Sequence, residues 1–293
     1  MVMSQTTESL MAESLMSTAE LAACLSAPGI KVVDATYKMP GVMPTARESY
    51  LAAHIPGAVF FDIDAIADRK THLPHMLPSA DFFAAQVQAL GIGNEHRIIL
   101  YDAGGIAGAA RVWWTFRVFG HANVTVLDGG LRKWLAEGRP VDAVIPGIAP
   151  TRFTARFDSQ LVRAREQILE NIHTRLEQVL DARSRERFEG RVAEPWPGRR
   201  SGRIPGSLNL DHTTLVNAAD GSLKSAAELR TLFVAAGVDL DKPIVTSCGS
   251  GITASVLAFA LHLLGSKQAA VYDGSWAEWG LRGELPIATG PVP

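Results

Sequence analysis

Cysteine is scarce. Cys24 and Cys248 are the two cysteines of 293 residues, too few and too far apart for a disulfide framework or a structural zinc site, which points to a reducing compartment. Excess charge is missing as well: 28 Lys plus Arg against 30 Asp plus Glu leave a net charge of -2, so no global positive field exists to hold a nucleic-acid backbone. No stretch approaches the roughly 18 uninterrupted apolar residues of a membrane span. From Met1 to Ile30 there is no Lys or Arg, hence neither the basic start of a secretory signal nor the Arg-rich pattern of a presequence. These absences leave a soluble, cytoplasmic chain with no nucleic-acid or membrane partner, whose length predicts two domains.

What is present is a repeat. Val32-Val33-Asp34-Ala35 answers Val179-Leu180-Asp181-Ala182, and His54-Ile55-Pro56-Gly57-Ala58 answers Arg203-Ile204-Pro205-Gly206-Ser207. Val126-Leu127-Asp128-Gly129-Gly130 with Trp134 answers Val271-Tyr272-Asp273-Gly274-Ser275 with Trp279. Partners stand about 147 residues apart, far beyond the roughly 20 to 50 of solenoid repeats, so each copy is a whole domain. Short β-branched runs alternate with segments of helical period in both, which predicts α/β domains, each a mainly parallel sheet flanked by helices. Strands are expected around Val32, Val59 to Phe61, Arg97 to Tyr101 and Val124 to Leu127, then around Val179, Leu208, Ile244 to Ser247 and Ala269 to Tyr272. Ser79, and Ser225 with Glu228, signal the starts of a helix common to both copies, stopped at Gly91 and Gly237. The expected division is an N-terminal domain over 14–145, a Pro-punctuated connection over 146–172 and a C-terminal domain over 173–293.

The copies differ where chemistry is expected. Aligning them sets Tyr101-Asp102-Ala103-Gly104-Gly105 over Ser247-Cys248-Gly249-Ser250-Gly251, a strand running into a Gly-rich turn and then a helix. Ligands of open α/β sheets sit beyond such strand ends. In Cys248-Gly249-Ser250-Gly251-Ile252-Thr253 two glycines let the backbone curl with its N–H groups inward, and the helix from about Thr253 to Leu264 adds the positive end of its dipole. That environment favours a thiolate. Cys24, in an apolar helical stretch, has neither feature and reads as a packing residue. A Cys-based phosphatase would need an Arg six positions on, where Ala254 stands, and Gly251 stands where a redox pair would place its second Cys. What remains is a group taken up by the sulfur and passed to a second substrate, a ping-pong scheme.

At these residues the chain resembles the tandem rhodanese family of sulfurtransferases. The likeness runs from about residue 14 onward through Ala53 to Ala58, Arg111-Val112-Trp113-Trp114, Phe116 to His121, Leu127-Asp128-Gly129-Gly130 and Tyr272-Asp273-Gly274-Ser275-Trp276. The loop Cys248-Gly249-Ser250-Gly251 is similar to the branch that uses 3-mercaptopyruvate, since thiosulfate enzymes carry Arg and Lys at its second and third positions. The resemblance implies two tandem rhodanese-like domains, the first non-catalytic because Asp102 replaces the cysteine. It implies that Cys248 accepts sulfane sulfur as a persulfide and hands it to a small thiol, cyanide or a reduced protein such as thioredoxin, in a monomer with no metal and no organic cofactor.

By the same resemblance Ser250, His75 and Asp64 would form a proton relay beside Cys248, and Gly249, Gly251, Ile252 and Thr253 would line the sulfur site. Arg183, Arg185, Arg187, Arg191, Arg199, Arg200 and Arg203 crowd the entry to the second domain, and one or two could hold a carboxylate. The family's substrate arginine of an Arg-Phe pair matches Arg187. Its second arginine follows Glu-Pro, where this chain reads Glu194-Pro195-Trp196; Arg199 or Arg200 would have to fill that place. Two alternatives stand beside the 3-mercaptopyruvate reading: thiosulfate as donor, and a non-catalytic rhodanese-like binding module. His121, His262, Trp113 and Trp114 read as packing residues.

Overall fold

The computed structural model describes residues 5–266, 268–281, 283 and 285–291. The chain forms two compact units: one takes residues up to 68, 77–158 and 217–223, the other 69–76, 159–216 and the chain from 224 onward.

The first unit runs α1 (Gln5–Ser14), β1 (Leu15–Met16), α2 (Thr18–Cys24), β2 (Ile30–Asp34), α3 (Ala46–Ala52), β3 (Val59–Phe60), α4 (Ala80–Ala89), β4 (Arg97–Tyr101), α5 (Ala107–Val118), β5 (Val124–Leu127) and α6 (Gly130–Ala136). Its five strands are parallel, in the order β1-β5-β4-β2-β3. The second unit repeats the plan with β6 (Val162–Arg163), α7 (Arg165–Thr174), β7 (Gln178–Asp181), α8 (Arg185–Phe188), β8 (Leu208–Asn209), α9 (Ala226–Ala235), β9 (Ile244–Ser247), α10 (Ala254–Leu263), β10 (Ala269–Tyr272) and α11 (Ser275–Trp279). Its order, β6-β10-β9-β7-β8, is the same topology.

Central strands are buried on both faces, as parallel sheets with covering helices require: every residue of β5 and β9 is buried. The helix after each central strand is apolar nearly all round. In α10, Ala-Ser-Val-Leu-Ala-Phe-Ala-Leu-His-Leu, only His262 is not buried, the signature of a helix inside the fold rather than on its surface. Both expected caps form. Ser79 accepts from the Phe82 N–H, and Ser225 and Glu228 bond each other's backbone reciprocally. Apolar clusters built on Tyr101, Leu127 and Trp134 in one unit, and on Tyr272, Trp276 and Trp279 in the other, anchor the sheets.

All eight expected strands are present. The edge strands β1 and β6 were not expected, because two residues carry no readable alternation. The stretch 146–172, expected as a connection, is divided: 146–158 packs with the first unit, while 159–172, with β6 and the start of α7, belongs to the second. Trp113 and Trp114 are buried, and His121 lies among Phe116 and Phe153 with its imidazole held below the usual histidine range by burial. His262 is half-buried on α10.

Candidate active site

The Cys248 loop leaves the C-terminal end of β9 and enters α10. Parallel pairing sets Ser247, one residue before the cysteine, beside Asp181 of β7. Cys248 is 1 % exposed, and its Sγ accepts the Gly251 N–H at 3.1 Å. Gly251 has φ +82°, a left-handed backbone that turns this amide toward the sulfur at no side-chain cost. Ser255, in the first turn of α10, donates its hydroxyl to the Gly251 carbonyl at 3.0 Å and fixes the far side of the turn. From α11, the Trp276 N–H donates to the Cys248 carbonyl and the Ala277 N–H to the Gly249 carbonyl, at 3.0 and 2.7 Å. Ser250 and Ile252 are buried in the same loop, and Thr253 caps α10 half-buried. Of the loop residues expected at the sulfur, Gly251 makes the contact, and Gly249, Ser250, Ile252 and Thr253 lie in the same turn.

Arg187 joins them. A Cβ on Gly249 would lie 3.0 Å from the Arg187 Nη2, so the missing side chain is what lets the guanidinium lie against the loop backbone. Glu194 holds that guanidinium through both carboxylate oxygens and also accepts from the Arg183 Nη1 at 2.8 Å. Arg183 is fully buried over the Trp276 ring, bonded to both oxygens of Asp181 and to the Gly202 carbonyl. Two guanidinium groups and two carboxylates thus cancel, and the half-exposed Arg187 is the one that still faces solvent, with 26 % of its side chain open. The sequence singles out Arg187 by resemblance, but Asp181, Arg183 and Glu194 as its support have no local signal, because their mutual bonds exist only once the chain has folded.

His212 was also missed. Its Nδ1 lies 3.2 Å from the Ala182 carbonyl, and burial, aided by the charge of Arg187, holds the imidazole below the usual histidine range. The expected relay residues occupy different settings. His75 is 5 % exposed rather than a surface residue, has φ 61° and meets the half-buried Trp196 edge-on at 5.9 Å, both within the second unit. Asp64 is exposed and belongs to the first unit, where it lines a cavity of about 190 Å³ with Lys38, Arg47 and Asp62. The arginines that could replace the missing one are bound to carbonyls: Arg199 Nε to Ala277 at 2.9 Å, and Arg200 Nη2 to Trp279 at 3.3 Å.

The first unit supplies an internal control. Asp102, at the place of Cys248, is buried, and its carboxylate accepts the Gly104 N–H on one oxygen and the Gly108 N–H on the other, each at 2.7 Å. Burial pushes its carboxyl up to about 6 against the pull of these amides. The same strand–turn–helix thus turns backbone amides toward a side-chain acceptor in both copies. A side chain on Gly108 would place Cβ 1.9 Å from the Ala35 carbonyl, so this glycine is dictated by packing. Among the described residues no group of three or more His, Cys, Asp or Glu is placed to hold a metal ion, and no helix is long and apolar enough to cross a membrane.

Comparison with known proteins agrees with the repeat. A rhodanese-like domain model matches residues 17–137 and again 164–282. The Arabidopsis thaliana protein named thiosulfate/3-mercaptopyruvate sulfurtransferase 1, mitochondrial, is 42% identical over 94% of this chain and 78% of its own length. The 3-mercaptopyruvate sulfurtransferase of Escherichia coli strain K12 is 41% identical over 91% of this chain and 95% of its own. The crystal structure of SseA from Escherichia coli, described as a 3-mercaptopyruvate sulfotransferase, superposes with a TM-score of 0.82 at 38% identity, covering 89% of this chain and 98% of that one. With both halves matched and relatives aligned along nearly its whole length, the chain belongs to the rhodanese family, as a member with two rhodanese-like domains in tandem.

Proposed function

We propose that this chain moves sulfane sulfur from 3-mercaptopyruvate to a thiol or cyanide through a persulfide on Cys248. It is a sulfurtransferase, the class to which its relatives belong. The observation that carries the assignment of the sulfur atom is the Cys248 Sγ held by the Gly251 N–H at the end of β9, with the Arg187 guanidinium against the next residue. The Gly251 N–H and the start of α10 stand where they can serve a persulfide anion as well as a thiolate. In the first half-reaction the thiolate attacks the donor sulfur, the carbon–sulfur bond breaks, and its electron pair forms the enolate of pyruvate. The proton from the donor thiol ends on that carbon, leaving pyruvate and the Cys248 persulfide. In the second, an acceptor thiolate or cyanide attacks the outer sulfur and the Cys248 thiolate leaves.

Arg187 is the cation for the donor carboxylate, since its counter-ion Glu194 is shared with Arg183 and its outer face is open to solvent. Gly249, Gly251, Ile252 and Thr253 shape the sulfur pocket. Ser250, His75 and Asp64 are proposed as the relay that moves the donor proton. Asp102 makes the first domain non-catalytic by filling its loop with a carboxylate. A small thiol or a reduced thioredoxin-like protein is the proposed acceptor, and the protein is proposed to work as a cytoplasmic monomer.

Thiosulfate is the second donor to consider. Trp196 supplies no charge where the family's other substrate arginine stands, and the Arabidopsis relative carries both donors in its name. Incubation with each donor at matched concentration, followed by mass spectrometry, reads both points. A 32-dalton gain on the Cys248 peptide is expected, faster with 3-mercaptopyruvate. Cys248→Ser should abolish transfer from every donor; activity surviving in that variant refutes the catalytic reading, and faster loading from thiosulfate overturns the donor.

A further inference from the structure

A serine stands in a glycine's place beside the nucleophile. Ser275 opens α11 at φ 47°, a left-handed conformation that glycine adopts freely and a side-chain-bearing residue adopts at a cost. Its counterpart in the first unit, Gly130, has φ 54°. The two are matched by contact as well as by sequence: the Leu131 N–H donates to the Asp102 carbonyl as the Trp276 N–H donates to the Cys248 carbonyl. In the first unit a Cβ at position 130 would lie 2.3 Å from the Asp102 carbonyl oxygen, so only glycine fits there. In the second unit the loop leaves room for a hydroxymethyl group, and that group is used. The fully buried Ser275 Oγ accepts the Cys248 N–H at 3.1 Å and donates to the Tyr272 carbonyl at 2.8 Å.

The direction of these bonds is fixed. The Tyr272 carbonyl takes the hydroxyl proton, so the oxygen presents a lone pair to the Cys248 amide and locks the plane of the peptide before the cysteine. With Trp276 holding the carbonyl on the other side, the Cys248 backbone is clamped at both ends while its Sγ points to the Gly251 N–H. Strained backbone kept at a site that a glycine would relax marks a functional demand. We propose that Ser275 is a positioning residue for Cys248, which aims the sulfur at the loop amides in the copy that carries chemistry. This role rests on the sulfur-transfer reading above, but its structural part does not need any donor.

Ser275→Gly removes the hydroxyl and relieves the strain, as the glycine of the first unit shows, while Ser275→Ala removes the hydroxyl and keeps the strain, so the pair separates the two. Three measurements are made on the full chain: steady-state sulfur transfer, thermal unfolding, and the pH profile of iodoacetamide alkylation read on the Cys248 peptide by mass spectrometry. Losing the partner of a buried N–H should lower kcat by about tenfold or more while donor KM stays within about threefold. The alkylation midpoint of Cys248 should move to higher pH, with thermal stability no lower than that of Ser275→Ala, which keeps the strain and loses both bonds. A glycine variant with kcat within about twofold of the parent, or with an unshifted alkylation profile, overturns the proposal. If the parent chain itself moves no sulfur, the sulfur-transfer reading fails, and the alkylation profile still decides the role of Ser275.

Discussion

Replacing Glu194 by glutamine removes one charge from a sealed network and leaves its volume nearly unchanged. Glu194 is 1 % exposed at its side chain and is shared by Arg183, which is fully buried, and by Arg187. The four groups Asp181, Arg183, Glu194 and Arg187 sum to zero charge; Glu194→Gln leaves one positive charge unbalanced, and its NH2 turns a donor toward a guanidinium. Breaking a buried pair by removing one partner costs about 3–5 kcal/mol. Here Asp181 and the Gly202 carbonyl still hold Arg183, and the glutamine oxygen can keep one bond, so the expected loss is about 2–3 kcal/mol. For a unit of this size that is a fall of about 6–12 °C in melting temperature. Differential scanning calorimetry measures it, with Glu186→Gln on the exposed side of α8 as the control for a simple change of charge. A melt within about 2 °C of the parent would refute the claim that this cluster holds the site together.

Two further variants test the loops. Asp102 in the folded state titrates near 6, above its ordinary 3.8, so the native state binds the proton more tightly than the unfolded chain. Its contribution is fully present below pH 3.8 and is lost as pH rises through about 6, a decline of up to about 3 kcal/mol. Urea unfolding from pH 4 to 7 should show this decline in the parent and not in Asp102→Asn; equal slopes would contradict it. Gly249→Ala brings a Cβ within 3.0 Å of the Arg187 Nη2, at the far end of a flexible side chain. Stability should change by less than about 1 kcal/mol while donor KM rises several-fold at similar kcat, measured by initial rates; an unchanged KM would remove Arg187 from donor binding.

Much of the fold was legible because the repeat reports each feature twice. The capping box Ser225/Glu228 is a local signal, and it holds in the folded chain. β1 and β6 were not legible because a two-residue edge strand is made by its neighbour's unpaired groups, not by its own pattern. Around the site, the nucleophile and its loop were readable from Cys248 and its glycines. The network behind Arg187 was not, since Asp181 ends β7, Glu194 lies in the crossover to β8 and His212 follows β8, and only the fold brings the three near one guanidinium. His75 has no burial signal in its own segment, and only the fold sets it, buried, against Trp196. The signal for Ser275 was present in the alignment of Gly130 with Ser275, but a single hydroxyl has meaning only once φ and its two partners are known.

The carboxylate that Asp102 lays into its own turn has a stoichiometric consequence. With Gly104 and Gly108 already committed to it, the amides of that half are spoken for by an anion tethered through one methylene, at an effective concentration that dissolved thiosulfate or sulfite cannot rival. On the function proposed above, the chain carries this turn twice and loads a single sulfur, and the first unit keeps the shape that such a turn takes when its amides are occupied.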